Sequence, residues 1–169
     1  MKLLYAPWRD CYTKKLQGKD SQEKQPVCVF CHYAQDTSND NENLILGRYT
    51  YHFIVMNKYP YNAGHLLIVP YAHCDNLELL SKEAITECAV LTQKAATLLT
   101  THLKNEGTNI GLNLGKAAGA GIPDHIHTHI LPRWIGDTNF LPTLCDTKQI
   151  SIDMKTMYDT LKPHFSSLV

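Results

Sequence analysis

The chain has 169 residues, a length for which a single domain with a sizeable core is the default. Its 16 basic side chains balance 16 acidic ones, so no global field recruits polymeric nucleic acid or an anionic membrane, although a nucleotide-sized anion can still be held locally. Residues 1–8 hold no apolar run of signal-peptide length and no stretch reaches the length of a membrane span, so a soluble, cytoplasmic chain is expected.

Residues 1–16 are mixed, and Tyr5, Pro7, Trp8 and Tyr12 suggest an arm packed on the body. Gln17 to Gln25 is polar and reads as a loop. Six cysteines in a chain of this class do not form a disulfide framework. Cys28-Val29-Phe30-Cys31 is a CxxC with three readings: a redox pair, half of a metal site, or coincidence. A redox pair should open a helix after a strand. Here Pro26 precedes and a polar stretch at 36–43 follows, which suits a metal knuckle in a loop better. Cys11, Cys74, Cys88 and Cys145 are scattered, and Cys88 reads as helix packing.

Arg48 to Asn57 is rich in β-branched and aromatic residues and predicts a strand. Lys58 to Gly64 is a turn punctuated by Pro60 and Gly64, and His65 to Pro70 is a second strand, ended by Pro70. The two form an antiparallel hairpin, and the continuous run Leu66-Leu67-Ile68-Val69 implies burial on both faces. Ser81 to Asn105 predicts a long amphipathic helix, with Ser81 as N-cap and Glu83 in the first turn. Its apolar face is read as Ile85, Cys88, Ala89, Thr92, Ala96, Leu99 and Leu103, with Gly107 as the C-terminal stop. Asn109 to Asn113 is a third strand, and Gly115 to Gly121 is a loop of small residues. Arg133 to Phe140 is irregular. Ile152 to Phe165 carries Met154, Met157, Tyr158 and Leu161 at helical spacing, with Pro163 at a frayed end. Strands dominate and helices cover one face, so the class is α+β: a mainly antiparallel sheet, a long helix on one face and a C-terminal helix.

The remaining segment, Asp124 to Leu131, organises the rest. It places three of the nine histidines within five residues. A strand alternates its side chains, so His125, His127 and His129 would share one face, roughly 6–7 Å apart, with Ile126, Thr128 and Ile130 on the other. Pro132 is expected to limit the strand. Gly119 and Gly121 lie just upstream, where backbone amides can approach an anion closely. The loop lacks the GxxxxGK[ST] pattern and is no Walker loop. A small-residue loop feeding clustered imidazoles suits phosphate chemistry, in which amides hold oxygens and an imidazole attacks phosphorus.

His125-Ile126-His127-Thr128-His129-Ile130-Leu131 resembles the histidine-triad (HIT) signature, with Thr128 at a position usually apolar. Asn57 eight residues before His65, the LLIVP strand, Asn113 before the glycine loop, Pro132-Arg133-Trp134 and Gly136-Asp137 with Asn139-Phe140 are similar to the same family. With Ala6-Pro7-Trp8-Arg9 and the CxxC, the chain resembles the bacterial branch that includes diadenosine tetraphosphate phosphorylase/hydrolase-like proteins. The resemblance implies one HIT-like domain over 1–169: an arm and loop at 1–25, a nucleotide-binding core at 26–135, and a tail with a helix at 136–169. It implies a nucleotide hydrolase or nucleotidyltransferase acting at the α-phosphate of dinucleoside polyphosphates or related conjugates, with an adenosine-type nucleotide favoured. His127 would be the nucleophile, forming a nucleotidyl-histidine intermediate released by water or phosphate. His129 and His65 would hold phosphate oxygens together with the amides at Gly119 and Gly121. Asn57 would bind the ribose hydroxyls, and Asn113 would touch the phosphate or orient the site. Relatives often carry Gln or Ser just before the triad; here Gly121-Ile122-Pro123-Asp124 offers neither, which leaves the leaving-group contact unassigned. A homodimer is implied by the resemblance alone.

Some family members hold zinc on the first triad histidine. Cys28, Cys31, His73 and His125 together make a Cys₂His₂ set, a sound tetrahedral zinc shell whose metal would be structural. His32, His52, His102 and His164 lack such company and read as surface or packing residues, and Trp134 reads equally as a base-stacking or a structural aromatic. Against the enzyme stand two other classes: a nucleotide-binding sensor or scaffold with little turnover, and a redox or zinc-only protein in which the triad is incidental. The intact triad with His65 favours the enzyme.

Overall fold

The computed structural model describes residues 28–145, 147, 149–150, 152–166 and 168. The arm at 1–16 with its Ala6-Pro7-Trp8-Arg9 motif, the loop at 17–25 and Cys11 lie outside the described residues. Two short helices, α1 (Val29–Gln35) and α2 (Asp40–Asn43), lead into β1 (Ile45–Arg48) and β2 (His52–Met56). Then come β3 (Leu66–Pro70), the long α3 (Lys82–Leu103), β4 (Gly107–Leu112), β5 (Thr128–Arg133), α4 (Phe140–Cys145) and α5 (Met154–Phe165). The strands form one sheet in the order β1-β2-β3-β5-β4, with every neighbouring pair antiparallel. Among the described residues no helix is long and apolar enough to cross a membrane.

Both faces of the sheet are covered, as the continuous LLIV run requires. On one face Leu46, Ile54, Met56, Leu66, Ile68 and Ile130 pack against Leu91, Ala95 and Leu99 of α3 and Met157, Tyr158, Leu161 and Phe165 of α5. On the other, Phe30 and Tyr33 of α1 pack against Ile45, Phe53, Val55, Leu67 and Val69. The long α3 and the C-terminal α5 lie on one face as expected, and α1 covers the other. The α1 helix is one apolar stripe too short to stand out from its polar neighbours.

Ser81 caps α3 as expected, its Oγ accepting the Ala84 N–H at 3.1 Å. The buried face of α3 is Ala84, Leu91, Ala95 and Leu99; of the predicted stripe Leu99 is buried and Cys88 and Leu103 pack against the core, whereas Ile85 is exposed. Small alanines let the helix lie close to the sheet, a preference of packing that hydrophobicity alone does not rank. Lys104, not Gly107, takes the left-handed position that ends the helix, and Gly107 opens β4.

The predicted strand 48–57 is two strands. Arg48 ends β1, residues 49–51 turn, and β2 starts at His52. The turn has no glycine because Glu87 of α3 completes it: its carboxylate accepts the N–H groups of Thr50 and Tyr51 at 3.0 and 2.8 Å. The same carboxylate meets Nδ1 of buried His52 at 2.9 Å, so His52 has a partner that the sequence does not reveal. His102 and His164 stack on each other, ring centroids 3.5 Å apart. Within the polar stretch at 36–43, Asp40–Asn43 is helical.

The turn before β3 delivers His65. Gly64 sits at φ +71°, and a Cβ there would lie 2.6 Å from Leu103 Cδ1. Gly64→Ala is expected to cost about 1–2 kcal/mol from backbone handedness alone, with more from the clash. A urea midpoint unchanged from the parent protein would contradict this account of the turn.

Candidate active site and metal centre

The sheet brings the histidines together at the end where β3 and β5 pair, with Leu66 opposite Ile130 and Leu67 opposite His129. His125 and His127 precede β5, which begins only at Thr128, so the predicted triad strand is half extended loop and half strand. The approach is held by the Ile126 N–H donating to the Cys74 carbonyl at 2.7 Å. Alternation nevertheless holds: Ile130 lies in the core under α3, and Thr128 contacts Cys88 of α3 at 3.5 Å. Pro132 does not end β5, which runs to Arg133. The Pro132 carbonyl accepts from Asn62 Nδ2 at 2.9 Å, while the Arg133 carbonyl accepts the Glu106 N–H beside β4. The imide nitrogen of Pro132 thus faces away from β4, and no ladder bond is lost there.

The triad divides between two clusters. His127 and His129 have ring centroids 4.9 Å apart, and His129 lies 5.1 Å from the ring of His65. His65 Nε2 is 2.9 Å from His129 Nδ1. His127 Nδ1 is 2.9 Å from the backbone carbonyl of His125. A carbonyl only accepts, so Nδ1 carries the proton and Nε2 holds the lone pair. Phe30 lies against His127 at 5.1 Å, and Tyr61 covers His65 and His129 at 4.7 and 6.0 Å. Neither aromatic was a candidate from sequence; Phe30 sits between the two cysteines and Tyr61 follows Pro60, positions with no pattern to mark them.

Burial keeps these imidazoles neutral. Desolvation first, then the rings of His129 and His127, press His65 down to about 3. Desolvation and then His127 press His129 to about 4. Burial also lowers His127, against the opposing pull of the His125 carbonyl. Groups that resist protonation when folded contribute stability that is intact above the unfolded histidine value of about 6.5. That stability is lost as pH falls toward about 4 and then about 3 for His129 and His65. Denaturant midpoints are expected to fall between pH 7 and pH 4.5, and a His65→Phe variant should show a shallower fall.

The other sequence candidates are placed as follows. The side chain of Asn57 turns inward: Oδ1 accepts the Tyr59 N–H at 2.9 Å and Nδ2 lies 3.2 Å from His65 Nδ1. Asn113 follows β4 and is half-buried. Gly119 and Gly121 are exposed in the loop before the triad, but the Gly119 N–H closes a turn on the Lys116 carbonyl at 3.0 Å. That amide is therefore occupied within the loop. Half-buried Trp134 lends its N–H to Asp137, which also pairs with Arg133.

His125 joins the second cluster. Its ring sits edge-on to Phe30, and Nε2 donates to the Pro70 carbonyl at 2.9 Å. This fixes Nδ1 as the lone-pair atom, facing Cys28 Sγ at 3.3 Å, Cys31 Sγ at 3.7 Å and His73 Nδ1 at 3.3 Å. Cys31 Sγ and His73 Nδ1 are 3.3 Å apart, and all four donor atoms lie within 4.8 Å of one another. A tetrahedron with zinc–sulfur bonds of about 2.3 Å and zinc–nitrogen bonds of about 2.0–2.1 Å spaces its donors roughly 3.3–3.8 Å apart. The soft donor set, the spacing and the carbonyl behind His125 all fit zinc. The CxxC is not in a loop: Cys28 is the N-cap of α1 and Cys31 lies in its first turn. Its partners are histidines from beyond β3 and from the triad, an arrangement a metal explains and a simple dithiol does not.

Residues 38–134 match the family described as the HIT domain. The chain is 36% identical over 149 residues to the AP-4-A phosphorylase of Mycobacterium tuberculosis, covering 87% of this chain and 75% of that protein. It is 30% identical over 81 residues to the bis(5'-adenosyl)-triphosphatase of Dictyostelium discoideum, 48% of this chain and 54% of that one. Among solved structures, a zinc-bound histidine triad family protein from Mycobacterium smegmatis superposes with a TM-score of 0.65 at 26% identity, covering 81% of this chain and 91% of that one.

Proposed function

This chain belongs to the HIT domain family, and from that premise we propose that it cleaves dinucleoside polyphosphates, or related nucleotide conjugates, at the α-phosphate through a nucleotidyl-His127 intermediate. One observation carries the reading: His127 is buried and neutral, with Nδ1 tied to the His125 carbonyl and its lone pair therefore on Nε2. The lone pair forms a nitrogen–phosphorus bond, and the bond from phosphorus to the leaving oxygen breaks with its electrons on that oxygen. A polyphosphate leaving group carries the charge on its own oxygens. The Nδ1 proton stays on the ring, where the carbonyl stabilises the positive charge that develops. Water or inorganic phosphate then attacks phosphorus, the nitrogen–phosphorus bond returns its electrons to Nε2, and a proton from water leaves to solvent.

His129 supplies a donor to a phosphate oxygen. Its Nε2 is buried and has no partner among the described residues, an arrangement suited to an anion that arrives with the substrate. His65 backs it. Asn113 and the loop with Gly119 and Gly121 border the nucleotide. Cys28, Cys31, His73 and His125 would hold zinc, which when bound supplies a cross-link between α1 and the triad segment. The names of the two relatives make adenosine dinucleotides the first substrates to try. A homodimer is consistent with β4 at the sheet edge, where Ile110 and Leu112 are exposed.

The test is a turnover panel of dinucleoside polyphosphates and nucleoside phosphoramidates, each with and without inorganic phosphate. A nucleoside diphosphate formed only with phosphate identifies a phosphorylase, and a monophosphate identifies a hydrolase. No turnover of any member rejects the reading.

A further inference from the structure

We propose that Arg48 is a positioning residue for the site: its guanidinium holds the C-terminal end of α1, and so sets the orientation in which that helix presents Cys28 and Cys31 to His73 and His125, and Phe30 to His127. The metal and kinetic parts of this inference rest on the zinc and nucleotidyl-transfer readings; the hold on α1 rests on neither.

The need for a hold follows from the length of α1. It has seven residues, and an isolated helix shorter than about 12 residues is marginal in water. Its own ends supply little. Cys28 at the N-cap makes no side-chain cap bond, and the C-terminal turn closes through the Asp36 N–H donating to the His32 carbonyl. The carbonyls of Tyr33 and Ala34 lie in the last turn, where partners within a helix run out. Arg48 of β1 supplies donors to them. Nη2 donates to the Tyr33 carbonyl at 2.7 Å and to the Asp36 carbonyl at 3.0 Å, and Nη1 donates to the Ala34 carbonyl at 3.3 Å. A cation at that place also faces the negative end of the helix dipole. The Nε–Nη2 edge of the guanidinium meets Asp40 of α2, at 3.0 and 2.7 Å from Oδ1. The Arg48 side chain is only 19% exposed, so the fork is largely shielded from competing water.

The guanidinium also meets the Tyr71 hydroxyl. Tyr71 directly follows Pro70, whose carbonyl accepts the Nε2 proton of His125, and stands two residues before His73. One planar side chain thus touches the helix that carries two of the four metal donors and the segment that carries a third. Phe30 extends the hold to the nucleophile. It lies between the two cysteines on α1, buried, with its ring 5.3 Å from that of His125 and 5.1 Å from that of His127. A tilt of α1 therefore moves the thiols and the wall beside His127 together. Lysine at position 48 would keep the charge but not the fork, because its donors radiate from one nitrogen and cannot span the carbonyls and Asp40 at once.

The experiment compares wild type with Arg48→Lys and Asp40→Asn. The first arm is native-state hydrogen exchange on protein without metal or substrate. Arg48→Lys is expected to lose about tenfold or more of the protection at the His32 and Asp36 amides, which bond to the Cys28 and His32 carbonyls, while β2, β3 and the middle of α3 exchange as in wild type. Asp40→Asn, which frees the guanidinium without removing it, is expected to show a smaller loss at the same amides, and it decides the question if Arg48→Lys does not fold. Unchanged exchange in α1, a wild-type α1 without protection, or a loss spread evenly over the sheet overturns the proposal. The second arm is zinc affinity by competition with a chromophoric chelator, expected to fall on the order of tenfold in Arg48→Lys. Equal affinity in the two proteins overturns the metal part, as does a wild type that binds no zinc. The third arm is kinetic: Arg48→Lys is expected to lower kcat by about tenfold with KM nearly unchanged. A loss carried by KM makes Arg48 a substrate contact and overturns the kinetic part. Wild type without turnover rejects the transferase reading and leaves the exchange arm to decide this one.

Discussion

His127→Asn is expected to lower kcat by on the order of 10³-fold or more while changing mononucleotide affinity by less than about tenfold. Asparagine can keep the bond to the His125 carbonyl through its side-chain NH₂ but offers no nucleophilic nitrogen. Binding is expected to survive because the contacts proposed for the substrate, the His129 donor, the loop before the triad and Asn113, are left in place. The proposed nucleophile is singled out by its surroundings. His125 has its lone pair in the cysteine cluster. His129 has Nδ1 occupied by His65, and its Nε2 bears the proton. Only His127 presents an unprotonated nitrogen whose hydrogen-bond partner lies on the opposite side of the ring. Rapid quenching without acid should trap a nucleotide mass on the peptide that contains His127. Near-normal turnover in the variant, or an adduct on His129 or His65, would show the assignment to be wrong.

The parts of the site that were legible in the sequence are those written as short-range periodicity or as unusual chemistry. Alternation gathered His127 and His129, and the donor set Cys28, Cys31, His73 and His125 was complete before any coordinates, because thiols and imidazoles have few structural uses in such company. What was not legible depends on distant partners. The turn at 49–51 needs a carboxylate from Glu87, some 36 residues later, and without it the run from Arg48 reads as one strand. Pro132 reads as a strand terminator until its nitrogen is seen to face away from β4. The α1 helix was hidden because its two buried aromatics, Phe30 and Tyr33, are too few to show a period. The phase of α3 was only partly legible because alanines and larger apolar residues occur on two adjoining stripes that share Leu99, so periodicity alone does not choose between them. The ribose role given to Asn57 came from a resemblance, whereas its bonds to the Tyr59 N–H and to His65 could be read only from the structure.

Cys28→Ser is expected to abolish metal binding and to lower the melting temperature. Wild-type protein purified without chelators should hold about one zinc per chain. The four donors come from α1, from the segment after β3 and from the triad segment, so a bound metal would cross-link three separate pieces of chain. A ligand bound only by the folded state stabilises it by several kcal/mol when tightly held, which for a chain of this size corresponds to a fall of roughly 10 °C on its loss. Serine at the N-cap position of α1 suits the helix start, so the substitution does not disturb that helix in itself. The control is wild type stripped by chelator: it should melt with the variant, and chelator should not lower the variant further. If the variant melts lower than stripped wild type by the whole margin, the effect belongs to packing of the half-buried thiol. Wild-type protein without zinc by elemental analysis would remove the metal from this site altogether, leaving the Nδ1 atoms of His73 and His125, 3.3 Å apart, to be explained by a proton shared between them.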